Sequence, residues 1–403
     1  MSASDIYLDY AAGAPLRAAA RDAYLAADVP GNPSAVHRPG RRARETVEAA
    51  RERIALALGA QPAEVLLTGG GTEADGIAVQ GLYRARQFDG TGGDDAVARP
   101  FVLVSAVEHH AVLENARLTG GQVVQIPVGP DGVADLDFVA AHLAAHGGQT
   151  ALISLMAANN ETGAIQPVHQ VIELARGAGV PVHCDAVQWV GKAPFRFAEW
   201  GLAAATVSSH KLGGPVGVGV LVVGRRTGLR PVIGGGGQER GVRSGTVDAR
   251  GAAGLAAVVG PVAVPDGAGR LEAMLAPLDA LVAAHPSLSY NTPMADGAHV
   301  AGLRNLAVAG ARGEALVYLL DQAGLAVSTG SACTAGLPQP SHVLLAMGQT
   351  EEQARSAIRV SLGHASVPSD VTALVEALPA AIEAAQRAET VRTERAAGGW
   401  GQP

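Results

Sequence analysis

Between Ala63 and about Val223, short β-branched runs alternate with helix-patterned segments, and this alternation constrains the chain more than any other feature. Seven runs read as strands: Glu64–Thr68, Phe101–Ser105, Val123–Val128, Ala151–Met156, Val180–Asp185, Ala204–Ser208 and Gly217–Val223. Between them, Thr72–Arg84, His109–Thr119, Leu136–His146 and Val168–Gly177 read as helices. This order predicts an α/β large domain with a seven-stranded, mainly parallel sheet covered by helices. Upstream, Arg38–Leu58 has helical spacing, its arginines interleaved with Glu45, Glu48 and Glu52 as on a solvated face.

After about Gly260 the composition becomes Ala- and Leu-rich. Helices are predicted at Leu271–His285, Gly313–Ala323, Glu351–Ala357 and Val367–Thr390, with strands near Leu303–Val308 and Ile358–Ser361, giving a smaller α+β domain. The expected division is a large domain over 16–259 and a small domain made of 1–15 and 260–403. Gln87–Arg99 reads as an exposed loop and the tail from Ala396 as a frayed end.

With 403 residues, 48% hydrophobic and 17% charged, the chain can bury a large core. No apolar run reaches the roughly 18 residues of a membrane span, and Met1–Tyr10 lacks a secretory pattern, so a cytoplasmic location is expected. A net charge of −7 argues against nucleic acid or a membrane surface as partner. Small-molecule chemistry is favoured. Of 30 basic residues only Lys192 and Lys211 are lysines, and Cys184 and Cys333 are the two cysteines, too few for a disulfide framework.

Four constellations could carry chemistry. Thr68-Gly69-Gly70-Gly71-Thr72 takes a strand through glycines into a helix start, an arrangement that suits phosphate. His183-Cys184-Asp185 brings an acid to a strand end, where a protonated ring nitrogen would partner it; Cys184, one residue out of phase, points to the core. Ser208-Ser209-His210-Lys211 offers an amine beside hydroxyls in a Gly/Pro turn, the setting of a Schiff-base lysine, whereas Lys192 reads as a surface residue. Cys333, among small residues, Gly and Pro, reads as a loop nucleophile. Arg359, inside an apolar strand pattern, requires an anionic partner such as a substrate carboxylate. The twelve histidines show no metal-binding spacing, so no metal is expected.

In this order the residues resemble the cysteine desulfurases, within the fold-type I, pyridoxal-phosphate-dependent class V aminotransferase family. The most specific pieces are Glu108-His109-His110, Asn159-Asn160-Glu161-Thr162-Gly163, Asp185-Ala186-Val187-Gln188, Ser209-His210-Lys211, Arg243-Ser244-Gly245-Thr246 and Gly330-Ser331-Ala332-Cys333-Thr334 with Pro340-Ser341-His342. The resemblance implies that Lys211 carries pyridoxal 5'-phosphate covalently and moves the Cα proton. Asp185 would pair with the ring nitrogen, His109 would stack on the ring, and Gln188 would bond the phenolic oxygen. Gly71, Thr72, Ser208 and His210 would hold the phosphate, joined by Thr246 of a second subunit in a homodimer. Asn160 and Arg359, with Asn32 nearby, would hold the substrate carboxylate, and Cys333 would take sulfur from L-cysteine, leaving L-alanine. The loop at about 328–342 resembles the long type that hands sulfur to a scaffold or thiolation protein. A selenocysteine lyase and a class V aminotransferase are the alternatives within this fold. Gly13-Ala14 stands where the family usually has two threonines.

Overall fold

A strand apolar on both faces must be covered on both, and five strands of the large sheet here are buried at every position. The computed structural model describes residues 5–87, 99–260, 265–330 and 339–397. Its strands are β1 (Ile6–Tyr7), β2 (Val65–Thr68), β3 (Phe101–Ser105), β4 (Gln122–Ile126), β5 (Thr150–Ser154), β6 (Val182–Asp185), β7 (Ala204–Ser208) and β8 (Gly219–Val223). Then follow β9 (Leu288–Tyr290), β10 (Leu303–Val308), β11 (Leu325–Ala326) and β12 (Ala357–Ser361).

All seven strands expected between 63 and 223 join one sheet, in the order β2-β8-β7-β6-β5-β3-β4. The pairs from β7 through β6, β5 and β3 to β4 are parallel; β8 runs antiparallel to both β7 and β2. Consequently β2, β6 and β7 finish at one edge, the carboxyl edge where open α/β sheets bind ligands. Thr68, Asp185 and Ser208 stand at those ends.

A second sheet, β12-β10-β9, is antiparallel, and β1 pairs with β11. Its apolar core gathers Leu8 with Leu275, Leu306, Ile358 and Leu374, so the N-terminal strand packs with elements three hundred residues later. Arg304 of β10 is only 2% exposed. Two carboxylates enclose it: Nη2 lies 2.7 Å from Glu272 and Nε 2.9 Å from Asp279. Against burial that would raise it, neighbouring His299, the Arg304 guanidinium and the Gly302 N–H hold the Glu272 carboxyl down at about 2.

The helix expected over Glu351–Ala357 stops at Arg355, because Ala357 is already the first residue of β12, paired with Ala307. Helices Ala18–Ala26 and Ala249–Ala256 were not marked by periodicity; they pack on each other, and the second also packs on Arg38–Leu58. Most of the expected 87–99 loop and of the 328–342 loop, including Cys333, lies outside the described residues, as does nearly all of the tail from Ala396.

Candidate functional site

Strand β6 alternates its side chains, and the two faces meet different surroundings. Cys184 is fully buried in the apolar core, as the sequence indicates. His183, also fully buried, lies 2.9 Å from the Ser154 hydroxyl and 3.0 Å from that of Thr206, and burial pushes its pKa down to about 3, keeping the ring neutral. Asp185 ends the strand and accepts the Val187 N–H at 2.9 Å. Burial pushes its carboxyl up to about 6, opposed by that hydrogen bond and by the Lys211 charge. Two more carboxyls lie nearby. Asp75, on helix Gly71–Gln87, has an unpartnered buried Oδ1, and Glu108 an unpartnered Oε2; burial, then the charge of Asp185, raises both pKa values well above the usual range.

At the end of β2 the backbone turns sharply. Gly70 has φ of 142°, and a Cβ on Gly219 would stand 2.6 Å from the Gly70 carbonyl carbon, so neither position accepts a side chain without strain. Helix Gly71–Gln87 then opens directly beside β7, where the Ser208 hydroxyl lies 2.9 Å from His210 Nδ1. These elements enclose a cavity of about 340 Å³. Gly71, Thr72, Ser208 and His210 line it at one side, with Asp185, His109 and Lys211 also on the wall. Asn160, Gln188 and Arg359 complete the set that the structure brings together. Ser328, Gly330 and His342, on either side of the segment holding Cys333, line it too.

Lys211 Nζ donates to the Ala11 and Ala12 carbonyls at 2.6 and 2.7 Å, and burial, followed by the Arg359 charge, lowers its pKa to about 8. His109 caps helix His110–Arg117 by accepting the Ala111 N–H, and burial together with the Lys211 charge lowers it to about 4. Arg359, on β12, donates to Asp9 at 2.5 Å and to the Asn160 carbonyl at 2.8 Å, while its buried Nε has no partner. The anionic partner demanded by an arginine in an apolar strand is thus already supplied by the chain.

Two expectations need correction, those for Lys192 and Asn32. Lys192 is not a surface lysine: it is half-buried, its Nζ donates to Gln188 Oε1 at 2.6 Å, and burial, then the Lys211 charge, lowers its pKa to about 7. Gln188 Nε2 in turn donates to the Ala11 carbonyl at 2.9 Å, which leaves its second N–H for a ligand. Asn32 sits in an exposed turn, its Oδ1 accepting the Ser34 N–H, and does not reach the cavity. Thr246 is likewise exposed and away from the cavity of its own chain. Cys333 lies outside the described residues. Sequence reasoning gave no role to Asp9, the Ala11 carbonyl, Asp75 or Glu108, although Glu108 stood in one of the motifs; Asp75, one helical turn after Gly71, carried a usable periodic signal.

A mainly parallel sheet with an acid ending one strand, a lysine just beyond its neighbour and a glycine-to-helix turn beside both defines a fold-type I α/β enzyme. The aminotransferase class-V family model matches residues 6–374, and the chain belongs to that family. It is 42% identical to an IscS-like cysteine desulfurase of Mycobacterium tuberculosis over 95% of this chain and 97% of that one. The cysteine desulfurase IscS of Dictyoglomus turgidum is 34% identical, covering 94% and 95%. Among solved structures, a NifS-like protein matches with a TM-score of 0.82 at 30% identity, over 94% of this chain and 99% of that one. A NifS-like protein from Rickettsia africae matches with the same TM-score at 27% identity and the same coverage.

Proposed function

We propose that the protein is a pyridoxal-phosphate-dependent cysteine desulfurase, which converts L-cysteine to L-alanine and leaves the sulfur as a persulfide on Cys333. The observation that carries the reading is the cavity itself, which joins Lys211 and the unmatched acid Asp185 to a hydroxyl-rich glycine turn. The residues suit the cofactor on two grounds. Asp185 is buried, accepts one N–H and has no ion-paired cation among the described residues, a lack that a protonated pyridine nitrogen makes good. A Cβ on Gly71 would press on Ser208 and Val187 at 3.3 and 3.4 Å, so the backbone there is kept clear.

Gly71, Thr72, Ser208 and His210 would hold the phosphate, with Thr246 of a second subunit; Lys211 would hold the cofactor covalently, Asp185 its ring nitrogen, His109 its ring face and Gln188 its phenolic oxygen. When bound, the cofactor supplies an electron sink that makes the substrate Cα proton acidic. Lys211, with its lowered pKa, accepts that proton near neutral pH and returns it to the alanine product. Arg359, with an unpartnered Nε, and Asn160 would orient the substrate carboxylate. The Cys333 thiol must lose its proton before it attacks; His109, whose Nδ1 already accepts the Ala111 N–H, is neutral with its proton on Nε2 and would serve the ring face, not as that base. The thiolate attacks the substrate sulfur, an S–S bond forms as the Cβ–S bond breaks, and its electron pair stays with the carbon fragment, whose Cβ gains the proton that the thiol gave up.

The protein is expected to act as a homodimer in the cytoplasm and to pass the persulfide to an acceptor protein for iron–sulfur cluster assembly or thiolation. Incubation with L-cysteine and a thiol reductant should give alanine and sulfide in equal amounts. Cys333→Ser should retain the cofactor's visible absorbance band yet release no sulfide. Alanine without sulfide, or transamination that survives Cys333→Ser, would sink the proposal.

A further inference from the structure

The second lysine is held as firmly as the first. After β6, the Trp189 and Val190 N–H groups both bond the Ala186 carbonyl, and Gly191, with φ of 82°, turns the chain back. A Cβ on Gly191 would stand 2.6 Å from Leu212 Cδ2, so the residue before Lys192 is packed directly against the residue after Lys211. Within that frame Lys192 Nζ donates to Gln188 Oε1 at 2.6 Å, Gln188 Nε2 donates to the Ala11 carbonyl at 2.9 Å, and the same carbonyl accepts Lys211 Nζ at 2.6 Å. No carboxylate forms an ion pair with Lys192 among the described residues; its one side-chain partner is the glutamine.

The chemistry of these groups fixes which way the amide faces. In its ammonium form, which holds below a pKa of about 7, Lys192 has only N–H donors, so an oxygen must face it; a peptide carbonyl has only lone pairs at any pH, so a nitrogen must face that. Turning the Gln188 amide over would set donor against donor at Lys192 and acceptor against acceptor at Ala11. The nitrogen has a second N–H beyond the one given to Ala11, and Gln188 lines the cavity.

We propose that Lys192 is a positioning residue that holds the Gln188 amide with its nitrogen toward Lys211 and the cavity, so that this wall offers a ligand a donor and never an acceptor. The inference rests on the reading of the cavity as a pyridoxal phosphate site, where an anionic phenolic oxygen is the group that needs such a donor. Lys192 touches no ligand itself. Its influence passes through one glutamine.

The test compares the pH titration of the visible band in holoenzyme reconstituted with pyridoxal phosphate, for the wild type, Lys192→Met, Gln188→Ala and the double variant. Lys192→Met is expected to move the titration midpoint by about one pH unit, in the direction given by Gln188→Ala, and the double variant to move it no further. Lys192→Arg, another side chain with donors only, should restore the wild-type midpoint. If Lys192→Met does not fold, Lys192→Gln takes its place, since an amide offers an acceptor as readily as a donor and no longer dictates the orientation of Gln188. A wild-type midpoint in the Lys192 variant, or shifts that add in the double variant as a through-space charge effect would, overturns the inference. Absence of any visible band in the wild type overturns instead the reading of the cavity, so the two failures are distinguishable.

Discussion

Buried charge is handled in opposite ways at two places in this molecule. Around Arg304 every strong demand is met within the chain: Glu272 and Asp279 flank the guanidinium, and His299 and the Leu303 carbonyl take its remaining N–H groups. At the carboxyl edge of the large sheet the demands are left open. Asp185 has one N–H, Asp75 and Glu108 each keep a buried oxygen without a partner, and Arg359 keeps an idle Nε. Burying polar groups unmatched costs stability, so a cluster of them is tolerated where another molecule completes the bonding. The closed cluster is architecture; the open one suits the proposed cofactor site.

This contrast can be broken by substitution. Arg304→Met strands two carboxylates and should lower unfolding stability by about 3–4 kcal/mol, read from urea midpoints, while the protein that remains folded keeps its specific activity. Asp185→Asn should do the reverse. Alanine formation should fall about a hundredfold or more, because the ring loses its ionic partner, while the folded state persists, since an amide oxygen can still accept the Val187 N–H.

A finer test uses pH on cofactor-free protein. Because the Asp185 carboxyl is raised to about 6 in the fold, its ionised form opposes folding above that pH and the cost fades as pH falls toward about 4, the unfolded value. Cofactor-free Asp185→Asn should therefore be more stable than wild type at pH 7.5, by ~2 kcal/mol, with the advantage vanishing near pH 4. Added pyridoxal phosphate should cancel it. The closed cluster has the opposite sign. Glu272 is held at about 2, so its contribution is present above the unfolded carboxylate value and is lost as pH falls through the folded one. Thermal melts of Glu272→Gln should accordingly show a smaller loss of stability than wild type between pH 4.5 and 2, the weakest of these effects because the group is partly exposed.

The open cluster was partly legible in the sequence and the closed one was not. Period-two and period-3.6 patterning marks strands and helices locally, so all seven strands of the large sheet could be read, as could the positions of Asp185, Lys211 and the Gly69–Gly71 turn. Pairing across hundreds of residues leaves no local mark. Nothing near Arg304 names Glu272, nothing near Arg359 names Asp9, and strands as short as Ile6–Tyr7 and Leu325–Ala326 have no period to detect. Lys192 was misread for the same reason. A lone lysine after a glycine looks like a surface residue until the fold sets Gly191 on Leu212.

The residues from Leu8 to Ala12 carry a consequence for biogenesis. Asp9 meets Arg359 across 350 positions, β1 pairs with β11, and the Ala11 and Ala12 carbonyls receive the Lys211 ammonium. A ribosome makes this strip about 350 residues before its partner β12. The large sheet can assemble while translation continues, but the wall bearing Arg359 forms only when β12 returns to a strip made long before it. The pocket is thus a late product of synthesis, and a truncated chain that folds its main sheet would still lack the wall that Arg359 supplies.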